Sequence, residues 1–308
     1  MAFKLKSDES VPKGIRRIAR KQLDAALENL NGKHSGGRDE AVHEARKCFK
    51  RIRAILRLVR PVVGEEIYQA ENICLRDAGR PLTEVRDAKI LIETFDQIKR
   101  DSHLTGASFD NIRQELQANL RRVRKQMLDE HDAFCVVAET VRQARERVKH
   151  WSSVPNKWSS VADGLKDTYR GAAAAFEQVL DNSTVETLHE WRKQAKYLRY
   201  QFQVLRPLWE ARLTELAEET GEMGSLLGDD HDLAVLRQMM TDEPERFGDK
   251  RSREKLVALI DQRRPKLQQE ANVVGRRFFL DRPKDSVRRF NGYWKTWRSQ
   301  SDLEPTTA

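Results

Sequence analysis

Apolar residues recur at three- and four-residue spacing along nearly the whole chain, the period of helices that bury one face. The pattern predicts a helix from Pro12 to Leu30, followed by the Gly-rich loop NGKHSGGR, and a second from Asp39 to Arg60 that stops at Pro61. A third is expected over Glu65–Arg80, and another from Pro81–Thr83. Phe109–Trp151 has no Gly or Pro and reads as one long helix or two. Ser152–Lys157 is the linker candidate. After it come Trp158–Asp181, Ser183–Arg206, Trp209–Leu227, Leu233–Met240, Arg251–Gln269 and a last helix through Trp297, then a tail, 301–308, that reads as disordered. The expected class is all-α.

Self-comparison adds an internal repeat. VHEARKCFKRIRAILRLVRP at 42–61 and LHEWRKQAKYLRYQFQVLRP at 188–207 share His43/His189, Glu44/Glu190, Arg46/Arg192, Lys47/Lys193, Lys50/Lys196, Arg53/Arg199, Arg60/Arg206 and Pro61/Pro207. All but the proline pair are polar or charged, whereas repeats kept for packing alone would share apolar positions first. Upstream, Gly14, Arg16 and Arg20 align with Gly164, Lys166 and Arg170. Downstream, Arg86-Asp87-Ala88 aligns with His231-Asp232-Leu233. The chain reads as a tandem duplication, 11–151 and 158–298, within a single domain of residues 1–300. Two pseudo-symmetric helical bundles are the expected architecture.

On a helical wheel with His43 at zero, Arg46, Lys47, Lys50, Arg53 and Arg57 fall between about −80° and +40°, while Phe49, Ile52, Leu56 and Val59 lie opposite. In the second copy Arg192, Lys193, Lys196 and Arg199 surround His189, and Trp191, Ala195, Leu198, Phe202 and Leu205 lie opposite. A solubilising face mixes signs. Here Glu44 and Glu190 are the only acids in the matched strips, and both sit near a helix N-terminus, where acids are favoured. Like charges in a row repel, and two such rows point to an anion that neutralises them. The histidines read as hydrogen-bond donors that gain charge when that anion binds, because cationic neighbours disfavour a metal ion. Only one aromatic ring, Tyr200, falls among the cations on the wheel.

Charge segregation agrees. The 308 residues carry a net +9, yet 1–61 hold 16 basic and 7 acidic side chains, 209–249 hold 3 and 12, and 250–298 hold 15 and 5. Gathering the first and last of these regions would build a positive field for an anionic partner. No apolar run is long enough for a membrane span, and the first residues lack the apolar core of a secretory signal. Cys48, Cys74 and Cys135, widely spaced, fit a reducing cytoplasm better than a disulfide framework. Asp229-Asp230-His231-Asp232 invites a metal-hydrolase reading but is better explained as the acidic first turn of a helix. No phosphate-binding glycine loop and no nucleophile–base set appears, so no catalytic residue, metal or cofactor is expected.

A V/L-H-E-x-R-K-x-x-K-x-x-R helix occurring twice resembles the CHAD family (conserved histidine α-helical domain), from about Val11 to Trp297. The resemblance implies two four-helix bundles about a pseudo-twofold axis with a basic central groove or pore, and binding of inorganic polyphosphate, often at polyphosphate granules. Carried onto this chain, the matching positions are His43, Arg46, Lys47, Lys50, Arg53, His189, Arg192, Lys193, Lys196 and Arg199, with Arg16, Arg20, Lys166 and Arg170 as additions. Arg57 joins them from the wheel. The alternatives are binding of a nucleic-acid backbone and, remotely, a metal-dependent phosphohydrolase. The oligomeric state is left open.

Overall fold

The computed structural model of the protein describes residues 3–32, 36–151, 155–281 and 283–301. Part of the Gly-rich loop, residues 152–154 of the expected linker and nearly all of the expected tail lie outside the described residues. Eleven α-helices are described, with no strand among these residues: α1 (Val11–Leu30), α2 (Gly37–Val63), α3 (Glu65–Ala78), α4 (Arg80–Asp101), α5 (Ala107–Arg124), α6 (Ala133–Arg147), α7 (Ser159–Asp181), α8 (Val185–Leu205), α9 (Glu210–Asp242), α10 (Lys250–Phe278) and α11 (Pro283–Ser301). None is long and apolar enough to cross a membrane.

Local chemistry explains most of the boundaries. Pro12 lies in the first turn of α1, where its missing N–H costs nothing. Thr184 and Thr187 cap α8 reciprocally: the Thr184 hydroxyl accepts from the Thr187 N–H at 3.2 Å and the Thr187 hydroxyl accepts from the Thr184 N–H at 2.9 Å. The 107–151 stretch is two helices, divided where a π-helical turn (Lys125–Glu130) runs into Asp132, whose φ of 43° is left-handed. Three expected ends are corrected. Helix α2 runs through Pro61 to Val63, because a proline in the last turn forfeits one backbone bond and the chain closes instead at Gly64, φ 88°. Helix α10 continues to Phe278 with Pro265 inside it.

The third correction is larger. Residues 229–232 do not start a helix; they lie deep within α9, which is continuous over 33 residues. In the first copy Gly79 and Pro81 separate α3 from α4. The offset that aligns Arg86 with His231 puts Leu226 where Pro81 stands, so nothing interrupts the second copy. For the same reason Arg86 and Asp87 lie in the second turn of α4 rather than at its start.

Helices α1, α2, α3 and α6 form a closed ring of neighbours. Helix α7 packs on α8 and also on α2, α8 on α9, α9 on α10, and α11 on α7. The apolar core divides across the repeat rather than along it. One cluster takes residues from α1, α2, α7 and α8 together, including Ile52, Leu56, Tyr169, Trp191 and Phe202. The other joins α4 and α5 to the end of α9 and the start of α10 through Phe95, Ile112, Leu236, Phe247 and Ile260.

Helices α2 and α7 cross at closest approach over Gly164, where a Cβ would collide with the backbone carbonyls of Leu58 and Arg57, the latter at 2.6 Å. Backbone cannot step aside as a side chain can. Gly164→Ala is therefore expected to cost about 1–3 kcal/mol or more by overpacking, read as a lowered denaturation midpoint. Gly171→Ala, whose Cβ would meet only the Gln194 side chain at 3.5 Å, is the control expected to fold as well as the native chain.

Candidate functional site

Helices α2, α4, α9 and α8 form a ring of neighbours. Helix α8 lays its cations along α9 over a seam of glycines. A Cβ at Gly221 would lie 3.2 Å from Arg199 Cζ, one at Gly224 3.6 Å from Lys196 Cγ, and one at Gly228 3.2 Å from Arg192 Nη2. The spacing G-x-x-G-x-x-x-G puts these positions on one helix face. On the first-copy side Arg46 spans the break between α3 and α4: its Nη1 donates to Gly79 O at 3.3 Å and to the Thr83 hydroxyl.

These arrangements bring Lys50 and Lys196 close enough to repel each other, with Arg192 acting on both. Lys196 is pushed down to about 6, first by burial and then by Arg192 and Lys50, with Asp232 opposing. Lys50 is pushed down to about 8 by burial, then Arg46 and Arg192, with Asp87 opposing. Lys50 is nonetheless exposed to water. It stands among Arg46, Arg86, Arg192 and Asp87. Burial likewise lowers Arg46, and Arg86 lowers it further while Asp87 opposes. Arg46 and Arg192, equivalent in the repeat, each keep a buried Nε–H with no partner.

The histidines are held below their usual range. His43 is lowered by burial and then Arg86, His189 by burial and then Arg192, Lys193 and Lys196. His231 is pushed down to about 4 by burial, Arg192 and His189, and its ring lies 4.9 Å from that of His189. Among the described residues no three His, Cys, Asp or Glu side chains are placed to hold a metal ion.

The remaining expected residues divide by partner. Lys47 pairs with Glu44 at 2.8 Å, and Lys193 pairs with Glu190 in the same i,i+3 geometry. Arg53 Nε donates to Asn72 Oδ1 at 2.9 Å. Arg57 is tied into the protein: its guanidinium stacks 4.1 Å over the Tyr197 ring and donates to the Tyr68 hydroxyl. Arg16 donates to Trp151 O at 3.3 Å, Arg170 faces Asp167 at 3.5 Å, Arg20 is exposed and Lys166 half-buried. None of these four ranks among the charges that set the ionisation of Lys50, Lys196, His43, His189 or His231. Tyr200 is less open than the wheel indicates, packed edge-on against Phe3 with the Arg51 guanidinium 5.9 Å from its ring.

Sequence reasoning missed Arg86, Asp87, His231 and Asp232 as parts of this cluster, although the repeat had aligned them. It also missed the glycine seam. Helices α4, α9 and α10 line a half-open pocket of about 390 Å³ that includes Arg86, Glu93, Asp229, Asp232 and Arg263. Asp230 faces away from it, clasped by Arg264 (Nε 2.9 Å, Nη2 3.3 Å) and by Gln268 at 2.8 Å, fastening α9 to α10.

A family model described as CHAD domain matches residues 17–241. Among solved structures, PptA from Streptomyces chartreusis is similar in fold at a TM-score of 0.62 and 16% sequence identity, over 89% of this chain and 100% of that one. No curated protein sequence matches.

Proposed function

The chain belongs to the CHAD family, and from that premise we propose that it binds inorganic polyphosphate in a basic central cleft between two pseudo-symmetric helical units. Such a ligand is met in the cytoplasm and at its polyphosphate granules. The observation that carries this reading is the gathering of Lys50 and Lys196 with Arg46, Arg192 and Arg199 around them. Crowding like charges costs a fold stability, and an anion among them would remove that cost. The guanidinium groups of Arg46 and Arg192 suit the geometry of phosphate oxygens. Polyphosphate offers charge at every unit and no base or sugar to read, so a fixed lattice of Arg and Lys meets its chemistry without any catalytic group.

Titration calorimetry of the protein with long-chain polyphosphate tests the reading. If about six phosphates are neutralised, log K is expected to fall with log salt at a slope of about −4, taking single-stranded nucleic acid as the reference polyelectrolyte. Absence of binding at low salt would sink the proposal.

A further inference from the structure

The two copies of the cationic helix match in sequence but differ in what holds their arginines. In the first copy the arginines are tied down. Arg46 donates to the carbonyl of Gly79 and to the Thr83 hydroxyl, and Arg53 Nε donates to Asn72 Oδ1 at 2.9 Å. Gly79 can supply that carbonyl because α3 ends there, and a helix end leaves carbonyls without a partner in the backbone ladder.

In the second copy these acceptors are missing. Helix α9 runs unbroken through the corresponding stretch, so the carbonyl of Gly224, which aligns with Gly79, is spent within the helix. The same offset puts Gly228 where Thr83 stands and Ala217 where Asn72 stands, and neither has a side chain that accepts a hydrogen bond. Arg192 and Arg199, the equivalents of Arg46 and Arg53, lie over glycines instead. A Cβ at Gly228 would come within 3.2 Å of Arg192 Nη2, and one at Gly221 within 3.2 Å of Arg199 Cζ. Neither arginine makes a hydrogen bond to a described residue. The ion-pair approach of Arg192 is a long one, to Asp232 at 3.9 Å, and Arg199 is exposed. Between them Lys196 lies along Gly224. Residues 192, 196 and 199 share one face of α8 and span about 10 Å, three basic side chains in a row along the seam.

We propose that this second-copy row is the primary grip on the phosphate chain, and that the glycine seam of α9 is the positioning device that keeps it uncommitted. This rests on the polyphosphate reading above. A guanidinium without a partner gives up nothing on meeting phosphate, whereas Arg46 and Arg53 must surrender hydrogen bonds to do so. The first-copy arginines contribute their field from fixed positions, and those of the second copy contribute direct contacts.

The test is calorimetry of full-length variants with long-chain polyphosphate across a salt series, with thermal unfolding to verify each fold. Arg192→Gln/Arg199→Gln is expected to lose about tenfold more affinity than Arg46→Gln/Arg53→Gln. It should also flatten the slope of log K against log salt by about 1.4, as two lost phosphate contacts require. Arg46→Gln/Arg53→Gln, which breaks internal hydrogen bonds, should show the larger fall in melting temperature and the smaller change of slope. Gly228→Thr gives Arg192 the hydroxyl that Thr83 gives Arg46, and is expected to weaken binding more than Gly228→Ala, which adds only the Cβ. Equal losses in the two double variants, a larger loss in the first-copy pair, or a folded Gly228→Thr that binds as tightly as Gly228→Ala overturns the proposal while native binding stands. Failure of the native protein to bind the long chain overturns the polyphosphate reading instead.

Discussion

Replacing Lys50 and Lys196 together by Met is expected to abolish polyphosphate binding and to raise the melting temperature of the free protein. The two effects have one cause. Lys196 is pushed down to about 6 largely by burial, and Lys50, though exposed, is crowded by Arg46 and Arg192. Charge-assisted hydrogen bonds of the kind each lysine would make to phosphate contribute about 1.5–3 kcal/mol, so each single variant should weaken binding by about ten- to a hundredfold. Removing both leaves only the arginines of the cluster to hold the chain. Stability runs the other way, because an apolar side chain of similar length removes the repulsion among crowded cations and, at Lys196, the desolvation cost. Charge reversal at both positions should abolish binding too. A double Met variant that binds like the native protein would mean that the strips are solvated faces.

The second large effect is with pH. A lysine that is neutral in the free cleft must take up a proton when phosphate binds, since the anion favours the ammonium form. Above about pH 6 this applies to Lys196, and above about pH 8 to Lys50 as well. Affinity is therefore expected to fall as pH rises, approaching about tenfold per pH unit for each lysine involved. Calorimetry in buffers of different ionisation enthalpy would read the proton uptake directly. Stability of the free protein has the opposite sign. Between the lowered folded value and the ordinary lysine range the unfolded chain binds more protons, so stability should rise with pH across that window. His43→Gln/His189→Gln should leave the portion above pH 6 intact, because both imidazoles are already held below their usual range. Binding that is flat from pH 6 to 9 would remove the lysines from the mechanism.

That assignment differs from what the sequence alone indicated, and the difference is physical. A wheel gives the direction in which a side chain leaves its helix, and it put Lys50 and Lys196 at the middle of their strips. It does not give the neighbour across the gap. The surroundings supplied by other helices turn these lysines into the groups that titrate, and the same ignorance of neighbours hid the tie of Arg57 to Tyr197 and Tyr68. The repeat was legible because its shared residues are charged and closely spaced. The unbroken α9 was not, since the first copy is interrupted at Gly79 and Pro81 and the comparison carried that interruption across. The glycine seam was visible as G-x-x-G-x-x-x-G, but it acquires meaning only when α8 lies against it. Neither pattern could show that the core runs across the repeat, because α4 meets the end of α9 only after the chain has folded back on itself.

The choice between polyphosphate and nucleic acid rests on what accompanies the charge. Binders of single strands interleave aromatic platforms with basic residues, each stacked base contributing about 1–3 kcal/mol. The one ring that the wheel placed among the cations, Tyr200, is packed against Phe3 and Arg51. The deciding measurement is competition for the full chain among long-chain polyphosphate, single-stranded RNA and duplex DNA at equal phosphate concentration, with Tyr200→Ala alongside the native protein. Polyphosphate is expected to displace both nucleic acids, and Tyr200→Ala to change its affinity little. Equal competition by RNA, or a selective loss of RNA binding in Tyr200→Ala from a native affinity matching that for polyphosphate, would contradict it.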